Sequence, residues 1–176
     1  MKKFVFLISS VILCFAISCN NDKKGGGMSD KAKKNLDGNA AINKAVESGD
    51  LSKLGDYIAD DAVDHSDQGD VKGLAAIKEE LAKYSQQAEN MKAETIKEFA
   101  DDDNVIAWYN YSGTMKIDQM GMKKGDSYKM MGVEVSKWKD GKATEHWTFM
   151  LPADMAKMMG GGQNSNPMMG DTTKPK

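Results

Sequence analysis

GVEVSKWKDGKATEHWTF, running from Gly132 to Phe149, is the stretch on which the fold turns. Apolar and polar residues alternate on both sides of Lys139-Asp140-Gly141-Lys142, and Asp-Gly supplies the positive-φ pair that a two-residue hairpin turn needs. Side chains along a strand point to opposite faces in turn. Gly132, Glu134, Ser136 and Trp138 therefore share one face, with Val133 and Val135 on the other, and the return strand is expected to add Thr144, His146, Thr148 and Met150 to the first. A carboxylate, an imidazole and hydroxyls collect there. If the rest of the chain covers that face, it is a pocket wall.

The chain before the hairpin changes period. From Lys31 to Ser48, Leu36, Ala40, Ile42, Ala45 and Val46 fall at helical spacing, and Ser48-Gly49-Asp50 ends the run. A second short helix is expected from Asp50 as N-cap, carrying Leu51, Leu54, Tyr57 and Ile58. The segment from Ala59 to His65 is expected to lead into a loop rich in Asp, Ser and Gly. Gly73 to Tyr84 predicts a third amphipathic helix through Leu74, Ile77, Leu81 and Tyr84. Thereafter the period is two: Met91–Phe99 and Val105–Tyr111 predict a strand pair turned at Asp101-Asp102-Asp103-Asn104, followed by the hairpin. Helices first and strands afterwards argue an α+β domain, with the N-terminal helices packed on one face of a strongly curved antiparallel sheet.

The ends of the chain have different compositions. Residues 1–18 open with Lys2-Lys3, continue as an apolar run and end in Ala16-Ile17-Ser18 before Cys19, the pattern of a secretory signal. The run is too short for a comfortable membrane span of ~20 residues. Its ending resembles the lipobox of bacterial lipoproteins, which implies lipidation of Cys19 and a membrane-anchored protein of the bacterial cell envelope. Residues 19–30 predict a flexible tether, 31–159 the folded domain and 160–176 a disordered tail.

The chain has 176 residues, and all 24 of its basic residues are lysine. Without arginine it lacks the flat, two-pronged donor favoured for phosphates and guanine edges, so nucleic acid is not an expected partner. Removal of residues 1–18 leaves 22 lysines against 26 acidic residues, a formal charge of −4. Cys14 would leave with the signal, so neither a disulfide nor an all-cysteine metal site is expected. The two histidines and Glu134 contain the residue types of a two-histidine, one-carboxylate centre, but no His-x-His or His-x-x-x-His spacing supports one. No metal or cofactor is expected. The 14 methionines are read as flexible filler for irregular apolar space.

Ala41-Ile42, Ser48-Gly49-Asp50-Leu51, Asp56–His65, Gly73–Lys78, Ser112-Gly113-Thr114, Asp140-Gly141-Lys142 and Glu145-His146-Trp147 follow one another in an order and spacing that resemble the SnoaL-like family of the nuclear transport factor 2-like superfamily. The likeness runs from about Ala40 to Met159. It implies a cone-shaped fold, a bent sheet wrapped by helices around a cavity, often as a homodimer through the outer sheet face. The polyketide cyclases of that family use a histidine and an aspartate on the hairpin, and the corresponding positions here are Glu134 and Thr148. Both depart from the pattern, so ring-closing chemistry does not carry over. The expected function is binding of a small, partly apolar molecule, with Tyr109, Tyr111, Met130 and Thr148 lining the pocket. The enzymatic alternative is an acid–base isomerase, dehydratase or hydrolase using Glu134 with His146 or His65, since burial raises a carboxylate pKa towards neutrality. A third reading is an envelope interaction protein whose cavity is filled by its own side chains.

Overall fold

The computed structural model describes residues 27–66, 69–119, 121–152 and 154. The expected signal sequence, Cys19 and the expected tail lie outside the described residues, and among those described no helix is long and apolar enough to cross a membrane. Helix α1 (Asp30–Ser48) begins where the Ser29 hydroxyl accepts the Ala32 N–H at 3.0 Å, and ends at Gly49, whose φ of 73° suits a residue without Cβ. Its buried residues are Ala32, Asn35, Gly38 and Asn39, a face of small and amide side chains rather than aliphatic ones. A Cβ on Gly38 would stand 2.7 Å from the Trp138 ring, so the helix backbone lies directly against the indole.

The expected second helix does not form. The Asp50 carboxylate accepts the Ser52 N–H at 3.1 Å, but the chain closes only a three-residue 3-10 turn, Leu54–Asp56, before Ile58 opens strand β1 (Ile58–His65). Residues 59–65, expected only to lead into the loop that follows them, are part of that strand. Leu54, Ile58 and Ala62 are spaced by four, which suits a helix and equally, from Ile58 on, one face of a strand. All three are buried with Ile77 in one core cluster, and burying a side chain such as Leu54 contributes about 1.5–3 kcal/mol, enough to override a weak local helix preference.

The chain continues as β2 (Val71–Lys72), α2 (Leu74–Gln87), β3 (Ala88–Ala100), β4 (Asn104–Met115), β5 (Ser127–Lys139) and β6 (Lys142–Met150). The six strands form one sheet in the order β2-β1-β6-β5-β4-β3. Neighbours are antiparallel except β1 and β6, which run parallel, so the sheet is mixed. Bulges in β3, at Glu89–Lys92 and Thr95–Lys97, interrupt its pairing with β4, the device by which a strand bends. Both helices pack on the concave face, α1 across β3, β4 and β6, and α2 mainly against β1. This is the helix-wrapped, curved α+β cone expected from the sequence.

The hairpin forms at the expected turn, with φ of 54° at Asp140 and 79° at Gly141. Its return strand departs from the expected parity at one residue. The ladder pairs Lys137 with Glu145 and then Trp138 with Ala143, so Thr144 is an extra residue that bonds back to the Lys137 carbonyl at 3.3 Å. Ala143, not Thr144, therefore joins Trp138 and Val105 in the second core cluster. Past the bulge the expected alternation resumes, and His146 lies opposite Ser136, Thr148 opposite Glu134 and Met150 opposite Gly132.

Candidate functional site

The first strand and the two strands of the C-terminal hairpin converge at the middle of the concave face. Parallel pairing sets Asp64 of β1 beside His146 of β6, and the hairpin brings Glu134 of β5 next to them. His146 Nδ1 lies 2.8 Å from Asp64 Oδ1, and its Nε2 lies 3.7 Å from Glu134 Oε2, an ion-pair distance rather than a close hydrogen bond. The other oxygen of Glu134, Oε1, accepts the Tyr111 hydroxyl at 2.6 Å. An imidazole is thus clamped between two carboxylates, and one of these is in turn fixed by a phenol. The Glu134 side chain is 16% exposed, against 31% for His146 and 32% for Asp64, so the cluster is lodged in the wall but reachable from the concave side.

Burial alone would disfavour the charged imidazole. Hydrogen bonding and charge from Asp64 and Glu134 outweigh it, and the His146 pKa is pushed up to about 10. The imidazolium therefore persists through neutral pH, with both ring nitrogens acting as donors. Burial and the Glu134 charge together hold the Tyr111 phenol well above its ordinary range. Tyr84, on α2, is also raised, by desolvation and then by the charges of Asp64, Glu80 and Glu134, which places it within electrostatic reach of the clamp.

Gly132 seats Tyr111. A Cβ there would stand 2.9 Å from Tyr111 Cε2 and 3.3 Å from the Phe149 carbonyl, so only a glycine lets the ring lean across β5 towards Glu134. Met130, buried, is Tyr111's cross-strand partner, and exposed Thr148 is that of Glu134. Tyr109 stacks at a tilt on Tyr111, with ring centroids 5.6 Å apart, and is 1% exposed. Its hydroxyl turns towards α1, where it accepts the amides of Asn39 at 2.7 Å and Asn43 at 2.9 Å. Burial, then the charge of Glu134, pushes its pKa up to about 12.

The structure therefore brings Glu134, His146 and Tyr111 together, with Met130 and Thr148 beside them and Tyr109 behind. His65 is not part of this group. It neighbours Asp64 on a strand, so its side chain emerges on the opposite face, where it stacks on Trp147 at 4.5 Å and meets Asp70 at 2.9 Å and Glu145 at 3.3 Å. Glu134 and His65 cannot share a substrate across the sheet. Asp64 takes the place beside His146, a role not legible while residues 59–65 are taken only as the lead into a loop. Alternation along a strand there would have put Asp64 and His65 on opposite faces. The asparagines at 35, 39 and 43 were also passed over. Their spacing of four lines them up along α1, where Asn35 donates to the carbonyl of Asp102 at 3.1 Å and the other two reach Tyr109.

Among the described residues, no cluster of histidine, cysteine and carboxylate side chains is suited to hold a metal ion. The Asp101 carboxylate accepts the N–H groups of Asp103 and Asn104, at 2.8 and 2.7 Å, which lowers its pKa and accounts for the acidic run as a turn. A hollow of about 470 Å³ lies beside that turn and the start of α1, away from the clamp.

A bent sheet whose inner face carries ionisable side chains beneath two helices defines the nuclear transport factor 2-like class of α+β cones. The family model for the SnoaL-like domain matches residues 40–146, and the chain belongs to that family. Solved structures agree in fold. IdmH of Streptomyces antibioticus, a candidate polyketide cyclase, is 25% identical with a TM-score of 0.60, the match covering 72% of this chain and 98% of that one. A SnoaL-like polyketide cyclase of Agrobacterium tumefaciens is 15% identical with a TM-score of 0.61, over 72% and 98%. An epoxide hydrolase of the LEH-like type from M. tuberculosis is 14% identical with a TM-score of 0.60, over 73% and 91%. No curated protein matches the chain in sequence.

Proposed function

We propose that the concave face binds a small, partly apolar molecule whose polar end donates a hydrogen bond to the clamp, and that the protein is a binding module rather than an acid–base enzyme. The observation that carries this is the Asp64–His146–Glu134 arrangement itself. With its pKa near 10, His146 is almost wholly protonated at pH 7; about one molecule in a thousand holds the neutral ring that a general base requires. Glu134 is engaged on both oxygens, by Tyr111 and by the imidazolium. Asp64 Oδ2 has no partner among the described residues, and the clamp as a whole carries one excess negative charge. A hydroxyl or amine donor suits it. Met130 and the rings of Tyr84 and Tyr111 supply apolar surface nearby, in keeping with the small-molecule sites of SnoaL-like domains.

The test is native mass spectrometry of protein purified from its own host. A retained small molecule that is lost in Asp64→Asn and Glu134→Gln supports the reading. Turnover of candidate hydroxylated or epoxide substrates that collapses in Glu134→Gln would instead establish the enzyme. A preparation that retains nothing and binds no member of a donor-bearing panel would leave the interaction-protein reading.

Two further features belong to this proposal. Cys19 and the sequence before it support a lipid-anchored protein of the bacterial envelope. The convex sheet face supports a homodimer, because two cross-strand rows, Phe99-Ile106-Val135-Trp147 and Trp108-Val133-Phe149, form an apolar surface. Phe99, Ile106, Trp108 and Phe149 are all exposed there, more contiguous apolar area than a monomer usually leaves in water.

A further inference from the structure

Phe149 stands at 58% exposure on the convex face, with Trp108 at 43% two strands away, and Leu151, two residues further along and of the same parity as Phe149, is 48% exposed. The chain therefore leaves its last strand at the border of the apolar surface. It then turns, the Asp154 N–H donating to the Leu151 carbonyl at 2.9 Å, and the Asp154 carboxylate accepts the Met131 N–H of β5 at 3.2 Å. That bond pins the chain beside Met131, whose parity is that of Val133, on the convex side. Trp108 lies opposite Val133, and Phe99 is reached through Ile106 and Val135. With about 4.8 Å between strands and about 3.4 Å between residues, Trp108 is about 8 Å from Met131 and Phe99 about 16 Å.

The sequence that follows has a singular composition. Residues 155–169 carry Met155, Met158, Met159, Met168 and Met169, but no Val, Leu, Ile, Phe, Tyr or Trp. Their large apolar groups are all flexible thioethers, which conform to irregular surfaces and make favourable contacts with the edges of aromatic rings. Met158 and Met159 are four and five residues past Asp154, a reach of ~13–17 Å in an extended chain, which spans the distance to Trp108 and Phe99. Gly160-Gly161-Gly162 lets the segment double back, so that Met168 and Met169 return over the same rings.

We propose that residues 155–169 cover the convex face of their own protomer, with their methionines seated on Trp108, Phe149 and Leu151. Attachment favours this occupant, because a segment joined to the face through a few residues acts at an effective concentration on the order of mM. One consequence rests on the homodimer reading above: segment and second copy compete for the face. If the segment is seated in about two-thirds of molecules, and a dimer needs two open faces, the apparent affinity of the dimer falls about tenfold.

The test uses full-length protein labelled with carbon-13 at the methionine methyls. Nuclear Overhauser contacts are expected from the methyls of Met158 and Met159 to the rings of Trp108 and Phe149. In an equal mixture of methyl-labelled and ring-labelled protein they should be absent, since they run within one chain. Serine at all five methionine positions of the segment should abolish them and lower the concentration at which the dimer forms, read by sedimentation, by about tenfold. Leucine at the same positions should leave that concentration near the wild-type value. Contacts present in a protein that stays monomeric at every concentration would support the docking and retire only the dimer. Methyls without contact to these rings, contacts that run between differently labelled copies, a dimer indifferent to the serine substitutions, or a leucine variant that behaves like the serine one would each overturn the proposal.

Discussion

Substituting Asp64 by Asn removes one of the two charges that keep His146 protonated while preserving side-chain size. In the folded protein the imidazole pKa stands at about 10, against an ordinary 6.5. At ~1.36 kcal/mol per pH unit the full difference would correspond to about 5 kcal/mol of stability. His146 and Asp64 are each almost a third exposed, at 31% and 32%, and solvent screening reduces the contribution to on the order of 2 kcal/mol. Because the folded pKa is the higher one, this stabilisation is complete below about pH 6.5, declines as pH rises and is gone above about pH 10. Urea unfolding at fixed pH values from 6 to 9.5 should therefore show wild-type stability falling by on the order of 1–2 kcal/mol across that window. Asp64→Asn should be less stable at pH 6 and lose most of the dependence above neutrality, since removing an adjacent opposite charge lowers a pKa by about 1–3 pH units. A carbon-13 titration of the His146 ring reads the same event directly. Wild-type titration near pH 6.5, or a midpoint unmoved by Asp64→Asn, would refute the clamp.

The remaining predictions concern the seat of Tyr111, the outer face and the anchor. Gly132→Ala should cost about 1–3 kcal/mol by overpacking Tyr111 and should bring the Tyr111 phenol back towards its ordinary range in an ultraviolet titration. The same substitution in a Tyr111→Leu background should cost clearly less, and an equal cost in both would assign the strain to the Phe149 carbonyl instead. Sedimentation velocity should show a dimer that Trp108→Glu converts to monomer, whereas a wild-type monomer at every concentration would remove the dimer. Metabolic labelling with palmitate should mark the wild-type protein and not Cys19→Ser; labelling of both, or of neither, would remove the lipid anchor.

The hairpin was legible because its information is local. Asp140-Gly141 fixes the turn, the turn fixes the register, and the register puts Glu134 and His146 on one face. The same logic failed by one residue at Thr144, where the ladder gives up a step so that Ala143 can pack beside Trp138 under α1. The helix over residues 31–48 was legible in extent but not in its packing. Its apolar spacing pointed to Leu36 and Ile42, and both do pack on the core, yet the fully buried positions include Asn35, Gly38 and Asn39. A buried amide face is intelligible only once the Tyr109 hydroxyl and the carbonyls of the 101–104 turn are known to stand opposite.

The contact that defines the site is of the kind a sequence hides most completely. Asp64 and His146 are 82 positions apart and meet through the one parallel pair of this sheet, between a strand that local pattern assigned to a helix-to-loop crossing and the last strand of the domain. Parallel neighbours are not linked by a turn, so no short motif announces their register. Placement of β1 depends instead on the burial of Ile58 and Ala62 with Leu54 and Ile77, an aliphatic cluster with no chemistry of its own. Once that cluster seats the strand, alternation carries Asp64 inward to His146 and His65 outward to Trp147. One step of register in β1 would exchange the two and leave Glu134 facing an imidazole without its second carboxylate. The charge state of the site thus rests on aliphatic packing that lies outside it.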